Sequence, residues 1–245
     1  MTSQVSQWLS DHLATLGLSE DCEGYLFGRG ASEATIERLR IREWTPASTP
    51  CPNVHFVKRY GPRGEDLDQM VTIPLYAPSG TLVGIECRSR FEKRVTDFRL
   101  PEAQWNPVTI NAPRVAEALW SGGSVWVVEG VYDLAALDWC IPPTDAVLAT
   151  LRAGLGRDVV EFLARFCRNT VYMVYDNDET GRKATNGWVD EVTKKRRYGA
   201  LELLKYAGLN AVDFRYRGKD PGEVWLQGGI ERLREVFRTV GSVRA

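Results

Sequence analysis

The spacing of apolar positions changes between the two halves of the chain. In the first half, residues 3–16 carry apolar side chains at helical spacing and predict an amphipathic helix, and a second helix is expected to follow Ser32 as its N-cap. Apolar runs at Val71–Tyr76 and Thr81–Cys87 predict two strands of a hairpin, and a weaker strand is expected at His55–Tyr60. The first half is therefore expected to be a mixed α+β subdomain.

From Ser124 onward, short apolar runs alternate with amphipathic segments. The predicted strands are Val125–Val128, Ala146–Thr150, Val171–Tyr175 and Ala211–Tyr216, and the predicted helices are Asp133–Trp139, Asp158–Cys167 and a segment after Gly181. Such alternation indicates a parallel sheet with flanking helices. The pair Gly122-Gly123 is the natural seam, so the sequence predicts an N-terminal subdomain at residues 1–121 and an α/β domain at residues 122–245.

Composition narrows the classes of function. The chain has 245 residues and a formal net charge of −1, so contacts to nucleic acid are expected from local basic patches, not from a uniformly basic surface. Its five cysteines include no Cys-x-x-Cys pair, which excludes a zinc ribbon within this sequence. There is no signal-peptide pattern and no apolar run near the ~20 residues of a membrane span. We therefore expect a soluble, cytoplasmic protein.

Carboxylates follow two of the predicted strands. Glu129 comes directly after the strand at Val125–Val128, and Asp176 and Asp178 come after the strand at Val171–Tyr175. Ligands of open α/β sheets bind at the carboxyl ends of strands, and if these strands are neighbours the carboxylates lie close together. Like charges at close range raise one another's pKa or require a cation. The pattern favours Mg²⁺ (or Mn²⁺) and a metal-dependent phosphoryl or nucleotidyl transfer site.

Each acidic segment also has a structural interpretation. Glu129-Gly130 can be an ordinary strand end, and Asp178 can be the N-cap of the helix that follows. Lys219-Asp220-Pro221 can be a turn whose aspartate caps the next helix. Three acid-bearing loops, each after a strand of the same α/β domain, favour a functional site over three unrelated turns.

In combination, these motifs resemble the Toprim domain, which is shared by bacterial-type (DnaG-like) primases, topoisomerases and some nucleases. The matching motifs are Val-Glu-Gly-x-x-Asp from Val128, Asp-x-Asp-x-x-Gly-Arg from Asp176, and Lys-Asp-Pro from Lys219. The resemblance implies a Rossmann-like parallel sheet with flanking helices. It also implies that Glu129 acts as general acid/base or metal partner, and that Asp176, Asp178 and Asp220 bind metal. Gly130 and Gly181 would shape the turns, with Glu129, Asp176 and Asp178 as the catalytic residues.

The first half resembles the primases among these proteins. The segment Ile73-Pro74-Leu75, followed by Val83–Arg88, is similar to the primase hairpin that precedes the template-binding face. By this resemblance we expect nucleic acid or nucleotide phosphate to contact a set of basic residues: Arg88, Arg90, Lys93, Arg94, Arg99 and Lys219. Phe91 and Phe98 lie among them and could stack on bases. The alternative is a solvated charged edge with the phenylalanines pointing inward.

A second basic run, Lys194–Arg197, is interpreted as a solvated helix face, although it could also follow a template backbone.

The resemblance implies a primase-like nucleotidyltransferase of phage or mobile-element type, which makes short RNA primers on single-stranded DNA from NTPs. A replicative helicase or a separate zinc-bearing template-recognition protein would be its partner. Gly222 departs from many relatives, which have a second acid there, so the ligands of a second metal are left open.

Two alternatives remain at this point. One is a Toprim nuclease, and the other is a non-catalytic single-strand-binding factor of replication or recombination.

Overall fold

The computed structural model describes residues 3–29, 31–101, 103, 107–151 and 154–238. The chain forms two compact units, one made of Met1–Tyr76 and Thr81–Trp105 and the other of Ala77–Gly80 and Asn106–Ala245. Helix α5, at Ala112–Ser121, lies in the second unit, whereas the sequence-based division at residue 121 assigns it to the first.

In its described residues, the first unit combines four α-helices and a short 3₁₀ helix at Glu65–Leu67 with an antiparallel sheet. Its elements are α1 (Gln4–Thr15), α2 (Glu20–Gly28), α3 (Glu33–Arg38), β1 (Arg42–Glu43), α4 (Val54–Tyr60), β2 (Val71–Tyr76), β3 (Leu82–Arg88) and β4 (Val95–Arg99). The predicted first helix is confirmed, and the side chain of Ser3 caps it by accepting a hydrogen bond from the Ser6 amide at 3.1 Å. Helix α2 was not predicted from the sequence.

The strand predicted at His55–Tyr60 is wrong, because this segment is helix α4. Phe56 and Tyr60 are both buried and lie four residues apart, which is helical spacing. Asn53 starts the helix by accepting a hydrogen bond from the Phe56 amide at 2.8 Å. The β-branched and aromatic residues of this segment favour a strand by composition. The Asn53 cap and the four-residue spacing of the buried rings instead favour the helix that forms.

The predicted hairpin is confirmed: β2 and β3 pair antiparallel, and β4 pairs with the other edge of β3. Ile85 of β3 and Phe98 of β4 are opposite each other and point into a core that also contains Trp44 and Phe56. Phe98 therefore takes the inward orientation that the sequence left open.

The second unit is built around a parallel sheet. After α5 it continues with β5 (Val125–Val128), α6 (Val131–Cys140), β6 (Ala146–Ala149), α7 (Arg157–Phe166), β7 (Val171–Val174), α8 (Glu179–Asn186), β8 (Trp188–Val189), β9 (Arg196–Arg197), α9 (Ala200–Tyr206), β10 (Ala211–Asp213) and α10 (Pro221–Arg238). The strand order is β10-β7-β5-β6, and every pairing in it is parallel.

Both faces of this sheet are covered. Val125 and Val127 pack in a core with residues of α5, α7 and α9, whereas Trp126 points the other way. The Trp126 ring lies 4.4 Å from Tyr172 and 6.2 Å from Phe237 of α10, measured between centroids. A parallel sheet with helices on both sides confirms the predicted fold class. In the described part of the chain, no helix has the length and apolar character that crossing a membrane requires.

Glu86 of β3 lies directly opposite Asp97 of β4 in the sheet of the first unit. Burial raises the pKa of Glu86 to about 7; Arg88 and Arg99 counteract this effect, and Asp97 adds to it. Like charges directly opposite each other destabilise a strand pair, so ionisation of Glu86 weakens this sheet.

We expect the stability of the parent chain to fall between about pH 4.5 and 7 because of Glu86. Its folded-state pKa is raised, so the stability it contributes is complete below its unfolded pKa and is lost as the pH rises through the folded value. Glu86→Gln should be more stable than the parent at about pH 8 by roughly 1 to 3 kcal/mol and nearly equal to it at about pH 5. Urea unfolding at both values measures the difference. The exposed Glu117→Gln variant retains Glu86 and is the control, so its stability should match that of the parent at both pH values.

Candidate active site

Three adjacent parallel strands bring the acidic loops to one edge of the sheet. β7 lies between β10 and β5, and Val128 is in register with Val174. Glu129 follows β5 directly, Asp176 comes two residues after the end of β7, and the loop with Asp220 follows β10. The two strands that the sequence analysis required to be neighbours are neighbours.

The carboxylates at this edge interact electrostatically. The pKa of Glu129 is raised to about 7, first by burial and then by the charges of Asp176 and Asp178. The pKa of Asp176 is also raised, by burial and then by Asp220. Lys219 lowers the pKa of both Glu129 and Asp176, so it is the cation that partly compensates the acidic cluster.

Two of the acids also cap helices. Asp178 Oδ1 accepts a hydrogen bond from the Gly181 amide at 2.9 Å, and Asp220 Oδ1 accepts one from the Glu223 amide at 2.6 Å. The interpretation of Asp178 and Asp220 as helix caps is therefore correct. Because a carboxylate has two oxygen atoms with several acceptor positions, a helix cap does not prevent either residue from binding a cation.

The two glycines act mainly by allowing close approach. Gly181 lies in the first turn of α8, and a Cβ atom there would be 2.1 Å from the backbone oxygen of Asp176. Gly130 is the N-cap of α6 in an extended conformation, and a Cβ atom there would be 3.0 Å from Asp133 Oδ2. Gly181 in particular lets the start of α8 lie against the loop that carries Asp176.

Asp133 belongs to this cluster, although the sequence analysis gave it no role. Its Oδ1 accepts a hydrogen bond from the Gly222 amide at 3.1 Å, which joins helix α6 to the Asp220 loop. The pKa of Asp133 is raised to about 7, by burial and then by the charge of Asp220. The available signal was its place as the last residue of the Val-Glu-Gly-x-x-Asp motif.

Asn177 holds the second acidic loop against the third. Its Nδ2 donates hydrogen bonds to the carbonyl oxygens of Tyr216 at 2.7 Å and Gly218 at 2.9 Å. Its backbone amide donates to the Lys219 carbonyl at 2.6 Å, and Arg215 donates to its Oδ1 at 3.2 Å. The sequence offered no signal for this role, because the bonds reach backbone atoms about forty positions further along the chain.

Lys219 lies beside the acids, with its Nζ atom 3.9 Å from Asp220 Oδ2. Its backbone amide donates to Glu223 Oε2 at 2.7 Å. Glu223, the acid next to Gly222, therefore already stabilises the loop backbone. A Cβ atom at Gly222 would be 3.3 Å from Asp220 Oδ1 and 3.4 Å from Asp133 Oδ1, so a side chain at this position would start among the acids.

The donor chemistry fits a hard divalent cation. Glu129, Asp176, Asp178 and Asp220 offer only carboxylate oxygens, which Mg²⁺ prefers, and their mutual repulsion is the kind that a cation relieves. Among the described residues, no three acidic, histidine or cysteine side chains already converge closely enough to hold a metal ion. The backbone thus brings these carboxylates to one edge of the sheet, but in the described residues they do not already surround a metal position.

The basic residues of the first unit have different surroundings. Lys93 and Arg94 are exposed in the turn after β3, next to Phe91, which is 75% exposed. Arg99 pairs with Asp97 at 2.6 Å, and Arg88 is half-buried on β3. Lys93, Arg94 and Phe91 are therefore the members of this group that are most accessible to a nucleic acid.

Arg90 has a structural partner. Its guanidinium forms an ion pair with Glu43, and only 7% and 8% of the two side chains are exposed. Its Nε also donates to the carbonyl oxygen of Gln69 at 3.2 Å. These contacts join β1 to the turn after β3 and leave little of the guanidinium for an external phosphate.

We expect Gly181→Ala to destabilise the second unit by about 3 kcal/mol or more, because the new methyl group would overlap the Asp176 carbonyl. Gly24→Ala is the matched control, since Gly24 lies inside α2 and has no atom within 4 Å of the added Cβ. That variant should be neutral or more stable by about 0.5 to 1 kcal/mol. Urea unfolding of the two variants measures both effects, and equal stabilities would contradict the close-approach role of Gly181.

We expect Arg90→Met to lower the free energy of unfolding by about 3 to 5 kcal/mol, because it leaves Glu43 buried without its partner. Lys93→Met should change it by less than about 0.5 kcal/mol. Thermal unfolding distinguishes the two. A stable Arg90→Met variant with weakened oligonucleotide binding would instead assign Arg90 to nucleic-acid contact.

Comparison with known proteins agrees with this geometry. A family model described as Toprim-like matches residues 126–222. The DNA primase of Aquifex aeolicus (strain VF5) is 27% identical over 178 residues, which cover 71% of this chain and 33% of that protein. The chain thus spans about a third of the length of this curated relative.

Solved primase structures share the fold. The zinc-binding and RNA polymerase domains of Aquifex aeolicus primase match 96% of this chain and 60% of that one, with a TM-score of 0.65 and 21% identity. The RNA polymerase domain of Mycobacterium tuberculosis DnaG matches 97% of this chain and 84% of that one, with a TM-score of 0.64 and 20% identity. A DnaG catalytic domain bound to single-stranded DNA matches with a TM-score of 0.58, at 17% identity, and covers 98% and 82% of the two chains. Residues 126–222 thus match a Toprim-like family model, within a chain that shares the fold of these primase structures.

Proposed function

We propose that this chain is the catalytic core of a DNA primase, a metal-dependent nucleotidyltransferase that makes short RNA primers on single-stranded DNA from NTPs. The observation that carries the proposal is the meeting of three acidic loops at the carboxyl edge of adjacent parallel strands, where burial and mutual repulsion raise the pKa values of Glu129 and Asp176. Carboxylates that repel one another in this way suit a divalent cation, and the cation would neutralise phosphate charge during the reaction.

Glu129, Asp176, Asp178 and Asp220 are the residues that would hold Mg²⁺ or Mn²⁺. When bound, the cation supplies positive charge for the triphosphate and the attacking hydroxyl. If Glu129 is not itself a metal ligand, its carboxylate is proposed to accept the proton of the primer 3′-hydroxyl. The oxygen then attacks the α-phosphorus of the next NTP, and pyrophosphate leaves. Lys219, whose Nζ atom lies 3.9 Å from Asp220 Oδ2, is proposed to contact a phosphate oxygen.

Asp133 and Asn177 are positioning residues in this scheme. Asp133 fixes the Asp220 loop through the Gly222 amide, and Asn177 fixes the Asp176–Asp178 loop to the backbone of residues 216–219. Neither has to touch the substrate. Their hydrogen bonds hold the carboxylates at the sheet edge against their own repulsion.

Lys93, Arg94 and Phe91 are proposed to contact the template, in keeping with their exposure. Arg88 and Arg99 remain in the proposal as half-buried members of the same group. A helicase or zinc-bearing partner, a cytoplasmic location and a phage or mobile-element origin stay predictions.

A non-catalytic single-strand-binding factor is the second candidate, and Gly222 favours it. The resemblance to the Toprim domain implies a second acid where this chain has Gly222, and Glu223 is already bonded to the Lys219 amide. Such a factor would bind DNA without needing a divalent cation.

We expect the chain to make short labelled products from NTPs on single-stranded DNA in the presence of Mg²⁺ or Mn²⁺, and Asp176→Asn to reduce this synthesis by about 100-fold or more. Asp176→Asn should fold normally, since it removes a repelling charge from the cluster. The exposed Glu117→Gln variant is the control and should synthesise primers at the parental rate.

The other outcomes separate the alternatives. Cation-dependent degradation of the template would replace the primase proposal with a nuclease. Cation-independent DNA binding without synthesis or degradation would support the binding factor.

A further inference from the structure

A small basic hairpin projects between helices α8 and α9. Strands β8 and β9 pair antiparallel, and Trp188 is opposite Arg197 in their register. Gly187 and Gly199 close its base: a Cβ atom at Gly187 would be 2.5 Å from the Arg197 carbonyl, and one at Gly199 would be 2.2 Å from the Gly187 amide. The run Lys194–Arg197 thus lies in the turn and return strand of a hairpin, so its interpretation as a helix face is wrong.

A pocket of about 440 Å³ lies beside this hairpin. Its size falls within the range of small-ligand sites, about 300 to 1,000 Å³. Its walls come from the loop before α7, one face of α8, the hairpin and α9. The side chains that matter for its chemistry are Leu155, Thr180, Lys183, Ala184, Trp188 and Tyr198.

The aromatic walls of the pocket are accessible. Trp188 is 38% exposed and Tyr198 is 55% exposed. The Tyr198 ring is supported by Tyr206 in an edge-on contact with centroids 6.0 Å apart. Accessible, supported rings are the surfaces on which nucleobases stack.

The positive charges lie on the hairpin outside the pocket. Arg196 is paired with Glu202, but none of the ion pairs among the described residues involves Lys194, Lys195 or Arg197. Inside the pocket the cation is Lys183, which is paired with Glu179 at 2.6 Å. A free mononucleotide would need its phosphate bound inside the pocket, whereas a strand would place its phosphates along the hairpin.

We propose that the pocket and the basic hairpin bind single-stranded DNA, with a base against Trp188 and Tyr198 and neighbouring phosphates on Lys195 and Arg197. The site shares helix α8 with the acidic cluster: Asp178 caps this helix, and Thr180 and Lys183 line the pocket. DNA bound in this pocket would therefore contact the helix that begins directly after the Asp176–Asp178 loop. The choice of single-stranded DNA as the ligand rests on the proposed function.

The test is fluorescence anisotropy of a labelled oligo-dT of about 12 nucleotides with the full chain, in EDTA and without NTPs. Trp188→Ala and Tyr198→Ala should each weaken binding by about 5- to 100-fold, as expected for the loss of one base-stacking ring. Trp188→Phe keeps a ring and should retain most of the affinity. Trp120→Ala is the control, because this ring is 94% exposed on α5, and the variant should bind like the parent.

Salt dependence tests the phosphate contacts. Lys195→Ala and Arg197→Ala should each reduce the slope of log affinity against log salt by about 0.7, whereas the exposed Lys58→Ala variant in the first unit should leave it unchanged. Thermal unfolding of every variant identifies any that fails to fold. If an alanine variant fails to fold, the affinity of Trp188→Phe and the salt dependence of the Lys195→Ala and Arg197→Ala variants test the proposal instead.

Three results would overturn the inference: no binding of oligo-dT by the parent chain, parental affinity in both alanine variants of the aromatic residues, or full competition by dTMP, which would make the pocket a mononucleotide site. None of these depends on primer synthesis, because the measurement contains neither NTPs nor divalent cation. If primer synthesis failed while these variants weakened binding as expected, the hairpin site would stand and the proposed polymerase would not.

Discussion

The parallel pairing of β5, β7 and β10 is the constraint on which the rest of the second unit depends. It places the ends of three strands side by side, and a carboxylate-bearing loop follows each of them. Burial, and then repulsion from neighbouring acids, raises the pKa values of Glu129, Asp133 and Asp176. The backbone hydrogen bonds of the sheet hold the loops together against this repulsion. A divalent cation bound at this edge, as proposed, would relieve the repulsion.

Several residues at this edge serve folding and chemistry together. Asp178 and Asp220 cap helices with one oxygen, and the carboxylate still has acceptor positions for a cation. Helix caps of this kind fix the direction of each carboxylate, because the bonded oxygen is tied to a helix amide. Asp133 and Asn177 add bonds between loops that are distant in sequence. The hydrogen bonds of Asn177 are the contacts among these that a substitution can remove without changing the charge of the site.

The basic residues differ in how deeply they are buried and in whether an acidic side chain already pairs with them. Arg90 is enclosed with Glu43 and stabilises the first unit, whereas Lys93 and Arg94 face solvent beside Phe91. The run at Lys194–Arg197 lies on a hairpin with accessible aromatic residues beside a pocket. Charge in a sequence therefore marks candidates, and only the partners of each guanidinium or ammonium group show which of them are available for phosphate.

The sequence by itself determined the alternation of strands and helices after Ser124, the first hairpin and the three acidic loops, because these depend on local periodicity and turn chemistry. The strand predicted at His55–Tyr60 and the helix face predicted at Lys194–Arg197 were both wrong. Strand-like composition and charge outweighed the weaker signals of a helix cap in the first case and of two flanking glycines in the second. The role of Asn177, the ion pair of Arg90 and the contact of Asp133 with the Asp220 loop were decided by the tertiary structure, although the motif itself marked Asp133. Each consists of contacts between positions 21 to 89 residues apart, and no local pattern in a chain encodes which distant backbone atom will lie within hydrogen-bonding distance.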